Sequence, residues 1–206
     1  MNYAEAIASA AGEPQPLVRS EVKLLTGAAG NVYPVIFCPA RQNRPYQQYK
    51  THTRASCPLC ERIHEGATLT GLVGRLQWLP ATYPIKSLHG ICYPTEHRAA
   101  IRPEDIVQLG DFADNVSDVV ICINLRGSAA SLPEHFHAQL HDDRLPGADG
   151  GRGDVAAFPL LAKPLERLAE AGGLTLSRVT DYPAFALVMQ GPWESLARWL
   201  RGYMAA

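Results

Sequence analysis

Between residues 135 and 141 polar and apolar positions alternate without a break: His135, His137, Gln139 and His141 are separated by Phe136, Ala138 and Leu140. Period two is the spacing of a β-strand, so the pattern predicts a strand over His135–His141 with three imidazoles and an amide on one face. A helix would scatter the same residues around its axis. Residues 3–11 predict a short helix ended by Gly12 and Pro14, and Val32–Phe37 a strand. A polar, basic connection over 39–56 follows, and Thr68–Leu79 and Leu88–Tyr93 carry strand-like apolar content. Pro103, Glu104 and Asp105 open a helix, with proline and acids in its first turn, that should end near Val116.

Val119–Ile123 is apolar throughout and mostly β-branched, which predicts a strand covered on both faces. Asp142–Asp154, rich in glycine and aspartate, reads as an exposed loop. A helix near 159–171, strands near 173–179 and 183–190, and an amphipathic helix over 193–204 complete the reading. There is no internal repeat. The expected class is α+β, a mainly antiparallel sheet with helices packed on it, in one domain spanning 1–206.

Composition narrows the function. Of 206 residues, 47% are hydrophobic and 19% charged, which suits a packed core. The formal net charge of -1 gives no footprint for bulk nucleic acid or a membrane surface, so any bound anion must be held by a local cluster of donors. No apolar run reaches the roughly 18 residues of a membrane span, and the first residues lack the basic start of a signal peptide. Cys38, Cys92 and Cys122 sit inside apolar runs, where free cysteine behaves as a small buried hydrophobe. Only Cys57 and Cys60 are spaced to act together, and a reducing, cytoplasmic setting is expected.

A face lined with imidazoles can ligate a metal, take a proton or act as a nucleophile. One reading makes His135, His137 and His141 a three-histidine metal site. The other divides the labour between a metal and a nucleophile, and Cys57-Pro58-Leu59-Cys60 favours it. Its two-residue gap lets both thiolates reach one tetrahedral Zn²⁺. A redox pair is the rival use, but nothing nearby resembles the βαβ opening of a thioredoxin, and no second CxxC completes a zinc ribbon. The remaining ligands are then histidines, with His97 and His135 the candidates. A closed set of two cysteines and two histidines is structural, and it leaves His137 free for chemistry.

The segment His135-x-His137-x-Gln139 resembles the histidine-triad superfamily, in particular its galactose-1-phosphate uridylyltransferase-like branch, since hydrolase branches usually carry a third histidine where Gln139 stands. Pro39-Ala40-Arg41-Gln42-Asn43-Arg44-Pro45 is similar to that branch's Arg-x-x-Arg-Pro segment, Cys57–Cys60 to its zinc CxxC, and Pro94-Thr95-Glu96-His97 to its third zinc ligand. Asn124 through Ser131 resembles the small-residue loop before the catalytic strand. The similarity runs from about Val32 to His141, and the order of the motifs is its most specific feature.

The resemblance implies a histidine-triad-like sheet, a structural zinc on Cys57, Cys60, His97 and His135, and a homodimer. It also implies that His137 attacks the α-phosphorus of a nucleotide or nucleotide-sugar donor and holds the nucleotidyl group until a phosphate or sugar phosphate takes it. In the family the proton on the other ring nitrogen is held by the backbone carbonyl of the first histidine, here His135. Gln139 would donate to the phosphoryl oxygens, and Arg41, Arg44, Asn124 and Ser131 would contact phosphate or ribose. Standard uridylyltransferases contain two such halves, and only one half's motifs are present, so galactose is not supported as a substrate. Hydrolysis and a non-catalytic zinc-stabilised nucleotide-binding module are the alternatives. His89 and His141 read as surface or packing histidines, and His52 and His64 flank the CxxC without matching the family.

Overall fold

The computed structural model describes residues 1–11, 21–27, 32–41, 53–62, 67–68, 75–81, 83–124, 132–146, 152–156, 162–182 and 184–205. At its centre is an antiparallel five-stranded sheet in the order β3-β4-β5-β7-β6, formed by β3 (Ala67–Thr68), β4 (Leu76–Pro80), β5 (Gly90–Pro94), β6 (Val119–Ile123) and β7 (Ala138–Asp142). Its register sets Trp78 opposite Cys92, Cys92 opposite Ala138, and Leu140 between Gly90 and Ile121. These residues therefore share one face, and helices α1 (Tyr3–Ala11) and α3 (Pro103–Asn115) cover it.

Tyr3, Ala6 and Ile7 of the first helix and Leu109 and Phe112 of the second bury against Leu76, Trp78, Phe136 and Leu140. Each fully buried large apolar side chain contributes about 1.5–3 kcal/mol, so this face is the main source of stability. Gly90 is required by the packing: a Cβ there would stand 2.1 Å from Trp78 Nε1, on a ring only 1% exposed.

Both helices begin as their sequences dictate. Asn2 and Glu5 cap the first reciprocally, each side chain taking the other's backbone N–H at 2.9 Å. In the second, the Asp105 carboxylate accepts from the Arg102 backbone at 2.7 Å and from the Arg98 guanidinium at 2.7 Å. The Arg98 carbonyl in turn accepts the Phe136 N–H at 2.6 Å. This stitch ties the chain just after His97 to the chain just after His135.

The rest is peripheral to that sheet. β1 (Glu21–Thr26) and β2 (Val32–Phe37) form a two-stranded ribbon, and β8 (Arg144–Pro146) pairs with β9 (Arg152–Ala156). β10 (Leu165–Ala171), β11 (Leu174–Val179) and β12 (Leu187–Gln190) make a three-stranded sheet, and α4 (Trp193–Ala205) packs on the second core helix, with Trp193 Nε1 donating to Asp114 at 2.9 Å. None of the described helices is long and apolar enough to cross a membrane.

Several expectations are corrected. The segment near 159–171, expected as a helix, is strand over Leu165–Ala171, because Gly172 and Gly173, both at positive φ (59° and 77°), close a two-residue hairpin that pairs 165–171 with 174–179. In the described part of Asp142–Asp154, expected as a loop, Asp142 ends β7 and Arg144–Pro146 pairs with Arg152–Ala156, with Leu145 only 2% exposed, while 147–151 lie outside the described residues. Val119–Ile123 is an edge strand of half-buried residues rather than one covered on both faces. The strand expected over His135–His141 begins at Ala138, so His135 and His137 lie in the extended approach to it. Of the cysteines in apolar runs, Cys92 is fully buried while Cys38 and Cys122 are only half-buried. Glu21–Thr26 is a strand that the hydrophobic pattern did not single out.

Candidate functional site

The face of the sheet turned away from the core carries the chemistry. Phe136, Ala138 and Leu140 belong to the core, so alternation through β7 turns His137, Gln139 and His141 to the other side even though the ladder starts only at Ala138. Along that face the polar groups fall into three clusters: a Cys/His set at one end, His137 and Gln139 in the middle, and His89, His141 and Lys86 beyond them.

Cys57 directly precedes the short helix α2 (Pro58–Glu61), in which Pro58 takes the first helical position and Leu59 anchors the turn against Leu79 and Tyr93. One turn of helix brings the two thiols to the same side. Cys57 Sγ stands 3.2 Å from His135 Nδ1, while Cys60 Sγ stands 3.3 Å from His97 Nδ1 and 3.6 Å from His135 Nδ1. All four ligand atoms lie within 4.8 Å of one another. A tetrahedral zinc with Zn–S near 2.3 Å and Zn–N near 2.0 Å has sulfur-to-nitrogen edges of about 3.5 Å, so these separations suit a single ion.

The donor chemistry agrees. His135 Nε2 donates to the Pro94 carbonyl at 2.9 Å, which leaves the lone pair of Nδ1 facing the thiols. Burial and the neighbouring Cys57 push the Cys60 thiol up to about 11, and a bound cation would favour its thiolate. The cluster can hold a metal. Its four ligands leave no coordination position open, and such an ion would organise the segment rather than act on a substrate.

Two residues after His135, the His137 ring is only 5% exposed, and its Nδ1 lies 2.9 Å from the His135 carbonyl. A carbonyl can only accept, so Nδ1 carries the proton and Nε2 keeps an unshared pair. Burial lowers the pKa, holding the ring neutral. A neutral imidazole with a fixed tautomer and a free Nε2 can serve as a nucleophile or a general base.

Gln139, next along the face, is half-buried and flanked by Ile91 and Cys122 across the sheet. Beyond it the rings of His89 and His141 stack with centroids 4.3 Å apart. Lys86, 4% exposed, donates to the Asp142 carbonyl and, at 2.7 Å, to that of Arg144. Burial pushes His89 down to about 4 and His141 to about 3, with Lys86 adding to both. His89 and His141 are therefore buried partners beside the site rather than surface residues, and the alternation that placed His141 on this face was the available signal. Lys86 had none, because its burial depends on carbonyls more than fifty residues away.

Of the other expected contacts, Arg41 ends a 3-10 turn within electrostatic reach of His89, whose pKa it helps to lower. Asn124 is exposed one residue past the Ile123–Ala138 pair, level with His137 along the sheet. Arg44 and Ser131, with His52 and His64, lie outside the described residues.

No family model and no curated protein matches the sequence. Solved structures do. The chain superposes on yeast Ap4A phosphorylase Apa2 in complex with AMP at a TM-score of 0.50 and 16% identity, covering 98% of this chain and 68% of that one. The fold is α+β and histidine-triad-like. The same yeast enzyme without ligand matches at a TM-score of 0.48 and 15% identity over 85% of this chain and 58% of that one. Its Ap4A complex matches at 0.47 and 18% over 95% and 68%. At these identities the likeness concerns the histidine-triad-like architecture alone.

Proposed function

We propose that this chain moves a nucleotidyl group between phosphates through Nε2 of His137, with a dinucleoside polyphosphate or a nucleotide sugar as donor. In the first step Nε2 attacks the α-phosphorus, an N–P bond forms, and the bond from that phosphorus to the bridging oxygen breaks, releasing the distal phosphate portion. In the second, an oxygen of inorganic phosphate or a sugar phosphate attacks the same phosphorus and frees the imidazole. The observation that carries the reading is the fixed tautomer of His137: its Nδ1 proton is held by the carbonyl of His135, a residue that the metal cluster itself would clamp. The fold adds support, since the neighbour at a TM-score of 0.50 is a phosphorylase bound to AMP.

In this reading Cys57, Cys60, His97 and His135 hold a structural zinc. Gln139 donates an amide N–H to the phosphoryl oxygens, where charge grows as the bond to the leaving oxygen breaks. Arg41 and Arg44 offer guanidinium forks to the phosphates, and Asn124 and Ser131 contact phosphate or ribose. The whole chain acts as one domain, within a homodimer in a reducing cytoplasm.

Intact-protein mass spectrometry after brief incubation with a panel of dinucleoside polyphosphates and nucleotide sugars tests the proposal. An acid-labile gain of one nucleoside monophosphate, absent from His137→Ala, is expected, and its mass names the base. Absence of any adduct, with donors that bind and are not consumed, would reject the reading in favour of a nucleotide-binding module.

A further inference from the structure

The His89–His141 pair takes no part in the chemistry above, and its arrangement is costly enough to need a cause. The backbone N–H of Ile85 donates to His89 Nδ1 at 3.2 Å. That bond makes Nδ1 an acceptor, so Nε2 must carry the ring's proton. The Nε2 atom is buried and makes no well-formed hydrogen bond among the described residues, with only the Gln139 carboxamide close by, and the residue as a whole is only 9% exposed. A buried donor without a partner costs about 1–3 kcal/mol. His141 stacked on the ring, and the Ile85 bond at its other nitrogen, stop it from turning away.

Register decides which group can answer that proton. Gly90 pairs with Leu140 and Ile91 with Gln139, so His89 lies diagonally across from Gln139 on the same face, within reach of a long side chain. The Gln139 carboxamide already lies close enough to favour the protonated imidazole, as an acceptor does. A carboxamide has one acceptor end and one donor end. If its oxygen turns to His89, its NH₂ turns away.

We propose that His89 is a positioning residue: its Nε2–H, set by the Ile85 bond and the stack on His141, takes the Gln139 oxygen and so commits the Gln139 NH₂ to the phosphoryl group at His137. The inference rests on the proposed function and deepens it, because a glutamine beside a phosphoryl group is useful only with its donor end forward. An unbiased amide would present its oxygen to the phosphate anion part of the time and repel it. The bond to His89 removes that orientation.

The experiment is a cycle on the full-length chain: His89→Phe, which keeps a ring against His141 but no donor, His89→Gln, which can return an N–H near the Nε2 position, Gln139→Ala, and the His89→Phe/Gln139→Ala double. The readouts are the single-turnover rate of adduct formation with the donor found for the unaltered chain, the donor's Kd, the zinc content and the Tm. His89→Phe should slow adduct formation about tenfold or more with Kd nearly unchanged, as expected when a supporting hydrogen bond is lost. His89→Gln should recover most of the rate, and His89→Phe should add nothing once Gln139 is alanine.

A purely structural His89 would instead lower Tm, and its effect would persist in the Gln139→Ala background. Unimpaired adduct formation in His89→Phe, or full additivity with Gln139→Ala, overturns the proposal while leaving nucleotidyl transfer standing. No adduct in the unaltered chain overturns the functional reading itself. Should His89→Phe misfold, the comparison of His89→Leu with His89→Gln decides on the same grounds.

Discussion

Acid should weaken this protein through two residues that no substrate needs to touch. His89 and His141 are held at about 4 and about 3 in the folded state, chiefly by burial, and Lys86 disfavours a second positive charge beside either; Arg41 acts on His89 in the same sense. In the unfolded chain both return to about 6.5. Between pH 6.5 and 4 the unfolded state therefore binds two protons that the folded state refuses, and stability falls as the pH falls. From pH 7 to pH 5 each imidazole adds about 2 kcal/mol in favour of the unfolded chain, or about 4 kcal/mol for the pair. Against a typical domain stability of about 5–15 kcal/mol that is a large fraction.

Other groups also contribute to the pH dependence, so the assay is a difference of differences. Denaturant unfolding of the unaltered chain, His89→Gln and His141→Gln at pH 7 and pH 5 cancels whatever the three share. Whatever each substitution costs at pH 7, each variant should lose about 2 kcal/mol less than the unaltered chain on moving to pH 5, which is about 4–8 °C in Tm for a domain of this size. Stability curves that stay parallel across that interval would refute the argument, since they would mean that neither imidazole is kept neutral by burial.

Under the proposed function, a zinc on Cys57, Cys60, His97 and His135 and a nucleophile at His137 should separate cleanly. Cys57→Ser should cost the bound zinc and much of the thermal stability together, because binding free energy at a structural site is folding free energy; metal analysis and a melt on the same sample check it, and a variant as heat-stable as the parent would count against a structural role. His137→Ala should abolish the nucleotidyl adduct while leaving zinc content and Tm near normal, and parallel loss of zinc would break the division of labour between His135 and His137. Gly90→Ala should destabilise the fold by about 1–3 kcal/mol or more through overpacking on Trp78, measured by denaturant unfolding. A neutral result there would mean that the indole can move aside within the core.

Local pattern carried much of this molecule. The strand Val32–Phe37 and the helix from Pro103 to the edge of Val116 fall where their sequences place them, and so does the alternation that turns His137, Gln139 and His141 from the core. Each is written within a few neighbouring residues, in a proline at a helix start or a two-residue period. The segment Leu165–Ala171 departs from its local pattern: LERLAEA reads as helix by propensity, and only its pairing with Leu174–Val179 across Gly172 and Gly173 makes it a strand.

The site divides along the same line. Which residues could bind a metal or act as a nucleophile followed from residue type and spacing, because a CxxC and an alternating His-x-His are chemical statements in themselves; phosphorus as the target came only with the resemblance to the histidine-triad superfamily. Their joint geometry did not follow from residue type or spacing. The cluster closes because Arg98, held by Asp105, takes the Phe136 N–H and so brings the His97 and His135 segments together. The partners of His89 and Lys86 are equally invisible along the chain. Gln139 reaches His89 only through strand register, and the carbonyls that bind Lys86 lie more than fifty residues away. A sequence can state what a side chain is able to do and which way a strand turns it; which proton it holds is decided by the backbone that folding brings beside it.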